Sequence, residues 1–232
     1  MNILGVTLAR GGSKGIPGKH LRLLGGQSVL AWTVRAASAS ELLTHYLVSS
    51  DDSAILTEAR KHGAGTLERS AALAADDTPT IPALQHAVKH FERTTGLVVN
   101  YVVEIRATSP FKTTADIDRV IQALLDSGAD SAIGVVRLHD GHPARVKWLD
   151  ERLHIHDFLP EPVSGRRQDC TPDAYLRNGT VYALTRKACM VEGRIFGHAH
   201  SVGVEFPPER SVNLDTEMDW QFAQFLAERV GQ

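Results

Sequence analysis

Four glycines and three cations fall within ten residues of one short segment, Ala9-Arg10-Gly11-Gly12-Ser13-Lys14-Gly15-Ile16-Pro17-Gly18-Lys19-His20. Glycine lets the backbone approach a ligand closely and turn its N–H groups inward. Arg10, Lys14 and Lys19 add positive charge, so the segment suits a triphosphate. It is not a Walker loop, which needs Gly where Ser13 stands and Ser or Thr where His20 stands. It is not a dinucleotide fingerprint either, because the spacing fails and Pro17 blocks an immediate helix.

Two acidic groups also invite attention. Asp51-Asp52 is either a metal-holding carboxylate pair or the N-cap of the apolar helix that follows, and the cap fits better. Asn213, Asp215, Glu217 and Asp219 precede the last helix. They suit its dipole, but a Mg²⁺ site needs only one or two carboxylates, with phosphate oxygens and water completing the shell. In an extended stretch Asn213 and Asp215 share one side. The pairs His154/His156 and His198/His200 could begin a zinc site, but no cysteine or third histidine stands at useful spacing. Cys170 and Cys189 lie in no metal or redox spacing.

Loops act only where elements hold them. Apolar runs predict strands over 3–8, 46–48, 100–105, 131–136, 179–184 and 201–205. Helical spacing predicts helices over 28–38, 53–62, 79–91, 114–127 and 216–230. Strand and helix alternate through the first half, the pattern of a mostly parallel α/β sheet with helices on both faces. Ligands in such sheets bind beyond the carboxyl ends of the strands, which singles out 9–20, 49–52 and 106–113. Residues 138–172 break the pattern with proline, glycine and histidine and two short candidate strands, over 145–149 and 153–156. They read as an excursion from one domain spanning 1–232.

The chain of 232 residues is 43% hydrophobic and carries a net charge of -2, which argues against generic nucleic-acid or membrane binding. No stretch approaches the ~20 apolar residues of a membrane span. The first apolar run lacks the basic flank and length of a signal peptide. Two cysteines suggest a reducing compartment. A soluble, cytoplasmic protein is the expectation.

Six motifs in order resemble the acylneuraminate cytidylyltransferase family, the CMP-sialic acid synthetases. They are Ala9 to Gly15 with Lys19; Ser49-Ser50-Asp51-Asp52; Arg69 with Leu73-Ala74-Ala75-Asp76; Thr108-Ser109-Pro110-Phe111; Arg167-Gln168 with Asn178-Gly179-Thr180-Val181-Tyr182; and Asn213 through Asp219. Ser13-Lys14-Gly15 is more similar to the sialate branch than to the Kdo synthetases. The resemblance implies a Rossmann-like nucleotidyltransferase fold, and a homodimer with a protruding dimerisation segment, which suits 138–172. It also implies CTP, Mg²⁺ and a 2-keto-3-deoxy sugar acid.

On the nucleotide side the resemblance implies Arg10, Gly11, Gly12, Ser13, Lys14, Lys19, Arg69 and Thr80. On the sugar side it implies Arg106, Thr108, Ser109, Arg167, Asn178, Tyr182 and Phe196. Asp215 and Asn213 would hold the metal, and Arg10, Lys19 and Asp215 would carry catalysis. The sequence departs from the family at His20, for Asn; at Ser70, for Pro; at Arg106-Ala107, for Gln-Pro; and at Asn213, for Asp. Arg106 either pairs the sugar carboxylate or makes a salt bridge to Glu104, Asp76 or Asp77. No residue stands out as a general base. The rival readings are a metal-dependent glycosyltransferase using Asp51-Asp52, a non-catalytic nucleotide-binding regulator, and a Kdo-type synthetase.

Overall fold

The structure, a computed structural model, describes residues 1–196 and 200–230. His198, of the second histidine pair, lies outside the described residues. The first half runs β1 (Ile3–Leu8), the short pair β2 (Leu23–Leu24) and β3 (Gln27–Ser28), α1 (Val29–Ser38), β4 (His45–Ser50), α2 (Ser53–Lys61), β5 (Gly65–Glu68), α3 (Thr80–Thr95), β6 (Tyr101–Ile105) and α4 (Thr114–Ser127). The second half runs β7 (Ser131–Arg137), β8 (Lys147–Leu149), β9 (Ile155–Asp157), β10 (Tyr175–Thr185), α5 (Arg186–Met190), β11 (Ser201–Glu205) and α6 (Glu217–Val230).

Seven strands form one sheet in the order β11-β7-β10-β6-β1-β4-β5. Every neighbouring pair is parallel except those made by β10, which runs antiparallel to both β6 and β7. Side chains of β6 alternate between two cores. Val103 and Ile105 pack with Ile117, Val120 and Ile121 of α4, while Val102 packs with Leu84, Ala87 and Val88 of α3. Burial on both faces explains why the strands read as apolar runs rather than alternating ones. Glu104 shares the face of Val102, on the α3 side.

Local caps set the helix starts. The Ser28 hydroxyl accepts from Ala31 N, Asp52 accepts from Ala54 N, and Thr113 with Asp116 forms a reciprocal capping box. The Asp52 bond supports the cap reading of that pair. Several elements exceed the sequence reading, the two-residue strands β2 and β3 among them. β5 carries one buried apolar residue, Leu67, and α5 is a single turn, so neither has enough residues to show a period. β10 begins at Tyr175 rather than 179, because its register shifts between Arg177 and Tyr182. Gly179 sits there at φ 69°, and a Cβ on it would lie 2.9 Å from the Asn213 amide nitrogen.

Residues 138–172 leave the sheet between β7 and β10 and hold the β8–β9 hairpin. Trp148, Leu149, Ile155, Phe158, Leu159 and Val163 are all exposed on this arm. No described helix is long and apolar enough to cross a membrane.

Candidate active site

A cavity of about 450 Å³ opens beyond the carboxyl ends of β1 and β6. The loop after β1 makes one wall. Its backbone begins tied to the next strand, Ala9 N donating to Ser49 O at 3.0 Å. It turns through Gly18 at φ 64° into a short 3-10 turn, Lys19–Leu21. Lys19 is buried, its Nζ donating to Leu214 O at 2.5 Å and lying 3.7 Å from an Asp215 carboxylate oxygen. Burial draws the lysine pKa down, and Asp215 opposes that shift. His20 is buried beside it, with Nδ1 3.1 Å from Arg10 O. Burial first, then the Lys19 charge, pulls His20 down to about 4, so the ring is neutral near pH 7.

Cations gather at the β1 end. Arg10 and Lys14 both ion-pair with Asp76, whose pKa falls first through the Lys14 hydrogen bond. Arg69 is buried, and its Nε and Nη1 have no hydrogen-bond partner among the described residues. Thr80 opens α3, whose N-cap position is Pro79 with no side-chain cap. A helix start with free N–H groups attracts anions. The set can hold a polyphosphate, which would compete with Asp76 for Arg10 and Lys14.

The β6 end has a different chemistry. Arg106 Nε donates to Glu104 Oε1 at 3.0 Å, and its guanidinium lies 4.9 Å from the centre of the Tyr182 ring. The salt bridge to Glu104 is therefore present, and Arg106 lines the cavity as well. Glu104 is 3% exposed, and burial raises its pKa against the pull of Arg106. Its Oε2 has no partner among the described residues.

The following loop is fixed from below by Lys112, a residue the sequence did not single out. Its Nζ donates to Thr33 Oγ1, Arg106 O and Ser109 O, each at 2.7 Å. Burial pulls its pKa down to about 7.

The segment before α6 closes the site. Leu214 N donates to Thr108 O at 2.8 Å. The Asp215 side chain is 74% exposed. Asp219 accepts from Asp215 N and Thr216 N, which commits it to the helix start. Asn213 is also committed: its Oδ1 accepts from the Ser109 hydroxyl and its Nδ2 donates to Asn178 O at 2.9 Å. Among the described residues there is no group of three or more His, Cys, Asp or Glu side chains placed to hold a metal.

The structure thus brings Arg10, Ser13, Lys14, Lys19, Arg69, Thr80, Arg106, Thr108, Asn213 and Asp215 to one cavity. Other expected contacts stand off its wall. Gly11 N donates to Asp51 Oδ1 at 3.1 Å, and Gly12 meets nothing within 4 Å of its added Cβ. Ser109 is fully buried, bonded to Gly179 O and Asn213. Asn178 turns its Oδ1 to Thr180 and its Nδ2 to Ser211. Tyr182 is buried behind Arg106, with Phe196 6.0 Å from it, ring centre to ring centre, and Arg177 over the Phe196 ring. Arg167 lies on the arm, paired with Asp140 at 3.1 Å.

Asp51 and Asp52 serve the loop and the α2 cap, and neither lines the cavity. That removes the geometric basis of the glycosyltransferase reading. His154 and His156 both face Asp150. Both cysteines are buried free thiols, and burial pushes Cys189 up to about 11. Glu104 and Lys112 lie outside the motifs, and Asp76, which the third motif carries, was given no role there.

Comparison with known proteins places these features in context. The family model described as cytidylyltransferase matches residues 4–147. N-acylneuraminate cytidylyltransferase B of Danio rerio is 30% identical over 226 residues, covering 97% of this chain and 51% of that protein. The chain spans about half the length of the fish relatives it matches. Pseudaminic acid cytidylyltransferase of Campylobacter jejuni is 28% identical over 228 residues, covering 97% of this chain and 96% of that one. The solved structure of a CMP:2-keto-3-deoxy-manno-octonic acid synthetase complexed with CTP has the same fold, with a TM-score of 0.74 at 15% identity, covering 99% and 100% of the two chains.

Proposed function

The chain belongs to the cytidylyltransferase family, and from that premise we propose that it joins the CMP moiety of CTP to a nonulosonic, sialic-acid-like sugar acid and releases pyrophosphate. The observation that carries this reading is a single cavity with cations at one end, the Arg106–Glu104 pair at the other and the Asp215 carboxylate on its wall. The triphosphate chemistry follows from the loop. The cytosine and the class of sugar acid rest on the relatives named for N-acylneuraminate and pseudaminic acid.

Arg10, Lys14 and Lys19 hold the triphosphate oxygens, and Arg69, which lines the same cavity, adds a further positive charge. Arg106 keeps its terminal nitrogens for the sugar carboxylate, because only Nε is spent on Glu104. The anomeric hydroxyl then gives up its proton to solvent as its oxygen forms a bond to the α-phosphorus, the α–β phosphoanhydride bond breaks, and pyrophosphate leaves against the cationic loop. Phosphoryl transfer of this kind is governed by positioning and charge neutralisation. Asp215 fits a Mg²⁺ ion: it is one exposed carboxylate beside the phosphate end, and one or two suffice when the nucleotide supplies the rest. The ion would neutralise phosphate charge. Asn213 also serves as a strut, its Oδ1 accepting from Ser109 and its Nδ2 donating to Asn178 O, with the second lone pair of Oδ1 left for an ion.

The exposed apolar arm over 138–172 suits a homodimer contact, and two free thiols suit a reducing, cytoplasmic setting. Pyrophosphate release from CTP and Mg²⁺ across a panel of nonulosonic and octulosonic acids tests the reading. Release that needs both CTP and one nonulosonic acid supports it. Release without any sugar acid, or none with the whole panel, overturns it.

A further inference from the structure

Glu104 is an anomaly within its strand. It sits between Val103 and Ile105 in β6, is 3% exposed, and has Val6 and Tyr182 as its register partners on the flanking strands. A carboxylate in that position needs every oxygen bonded. Arg106 uses Oε1 alone, and Oε2 is left with no partner among the described residues while the residue lines the cavity. A role confined to steadying Arg106 would not leave that second oxygen, itself buried, without a partner in a residue that lines the cavity. A negative group there also repels phosphate, so the nucleotide lies toward Arg10, Lys14 and Arg69 and the sugar acid lies here.

We propose that Glu104 is a specificity-determining contact of the sugar acid, its Oε2 accepting a hydrogen bond from a hydroxyl or acylamino N–H of the substrate beside the group held by Arg106. The two side chains present an acceptor and free donors next to each other. A ligand that offers an acidic group alone satisfies Arg106 and leaves Oε2 unpaired. A ligand that carries a donor near its acidic group satisfies both. Sites built around a buried acceptor reject analogues lacking the donor, because the acceptor is then stranded without water. The pair therefore selects polyhydroxylated or acylamino sugar acids over simpler keto acids. Raised by burial, the Glu104 carboxyl is also costly to leave bare.

This inference rests on the sugar-acid reading above, and the test separates the two. Wild-type enzyme is first assayed with CTP and the sugar-acid panel. Glu104→Gln is then assayed with the best acid. Glutamine keeps the shape and can still accept from Arg106 Nε, but it turns an N–H toward the cavity. The expected result is a rise of tenfold or more in the sugar KM, with the CTP KM within twofold and the melting temperature nearly unchanged. Unaltered sugar KM, or a change confined to the CTP KM, overturns the inference while the main reading stands. Should Glu104→Gln fold poorly, wild-type enzyme is assayed with analogues that each lack one hydroxyl, or carry hydroxyl in place of the acylamino group. One analogue is expected to lose at least tenfold in kcat/KM, and it identifies the donor. Equal turnover of every analogue overturns the inference. A wild type inactive with the whole panel overturns the main reading instead, and this inference with it.

Discussion

Lys19 Nζ lies 3.7 Å from the Asp215 carboxylate and donates to the carbonyl of Leu214, so one buried lysine ties the loop after β1 to the segment before α6. The two residues stand 196 positions apart in the chain and meet at the phosphate end of the cavity. Lys19→Met removes a phosphate cation and that tether together. The expected result is a loss of about a hundredfold or more in kcat/KM, and a lowered melting temperature. Asp215→Ala should lose activity on a similar scale while melting within about 2 °C of wild type, because its side chain is 74% exposed. Near-normal turnover of Asp215→Ala at saturating Mg²⁺ would move the metal away from this residue.

Gly15 faces the other side of the same junction. A Cβ on it would strike the Asp215 carbonyl oxygen, closer than any real Cβ contact. Gly15→Ala must therefore push the 213–215 segment outward. Activity should fall at least tenfold, while Gly12→Ala, whose Cβ meets nothing within 4 Å, should change it much less. Equal effects of the two would show that the close approach does not matter.

Arg106 serves substrate and scaffold at once, which a paired substitution can separate. Arg106→Gln should raise the sugar KM by about tenfold or more and leave the CTP KM within about twofold. It should also lower the melting temperature, because a buried Glu104 loses its counter-charge. Adding Glu104→Gln to Arg106→Gln should recover part of that stability without restoring the sugar KM. An unaltered sugar KM with lowered stability alone would make Arg106 purely structural.

His20 gives the fold a defined pH response. Its folded pKa is held near 4, below the ordinary histidine value of 6.5. The unfolded chain thus binds the proton first, and stability is lost as pH falls from about 6.5 to about 4. The full effect is of order 3 kcal/mol. Melting curves between pH 7.5 and 4.5 should show a steeper decline for wild type than for His20→Asn. Parallel declines would mean that His20 is not held neutral.

Much of this was legible from local sequence, for identifiable reasons. Ser28, Asp52 and Thr113 cap helices through residues two or three positions away, so short windows reveal them. The loop after β1 announced its chemistry through glycines and cations placed next to an apolar run. What stayed hidden depends on long-range pairing. Asp76 meets Arg10 across 66 positions and Lys14 beside it, whereas the sequence offered it only as a partner of Arg106. Lys112 reads as a surface lysine but ends among three oxygens inside the protein. Asn178 carries the family pattern and Asn213 departs from it, yet the Asn213 amide braces the β10 bulge through Asn178 O while Asn178 turns its own amide to Thr180 and Ser211, which no spacing rule indicates. Glu104 was visible only as a neighbour of Arg106, because its burial depends on strands that flank it from both sides of the chain.

The most direct test of the account follows the α-phosphate. CTP labelled at its α-phosphorus is incubated with the protein, Mg²⁺ and each nonulosonic acid, in parallel with ATP, GTP and UTP labelled the same way. Label from CTP is expected to appear in a CMP–sugar diester with stoichiometric pyrophosphate, with little transfer from the other three nucleotides. Label recovered only as free CMP, or equal transfer from a purine nucleotide, would contradict it.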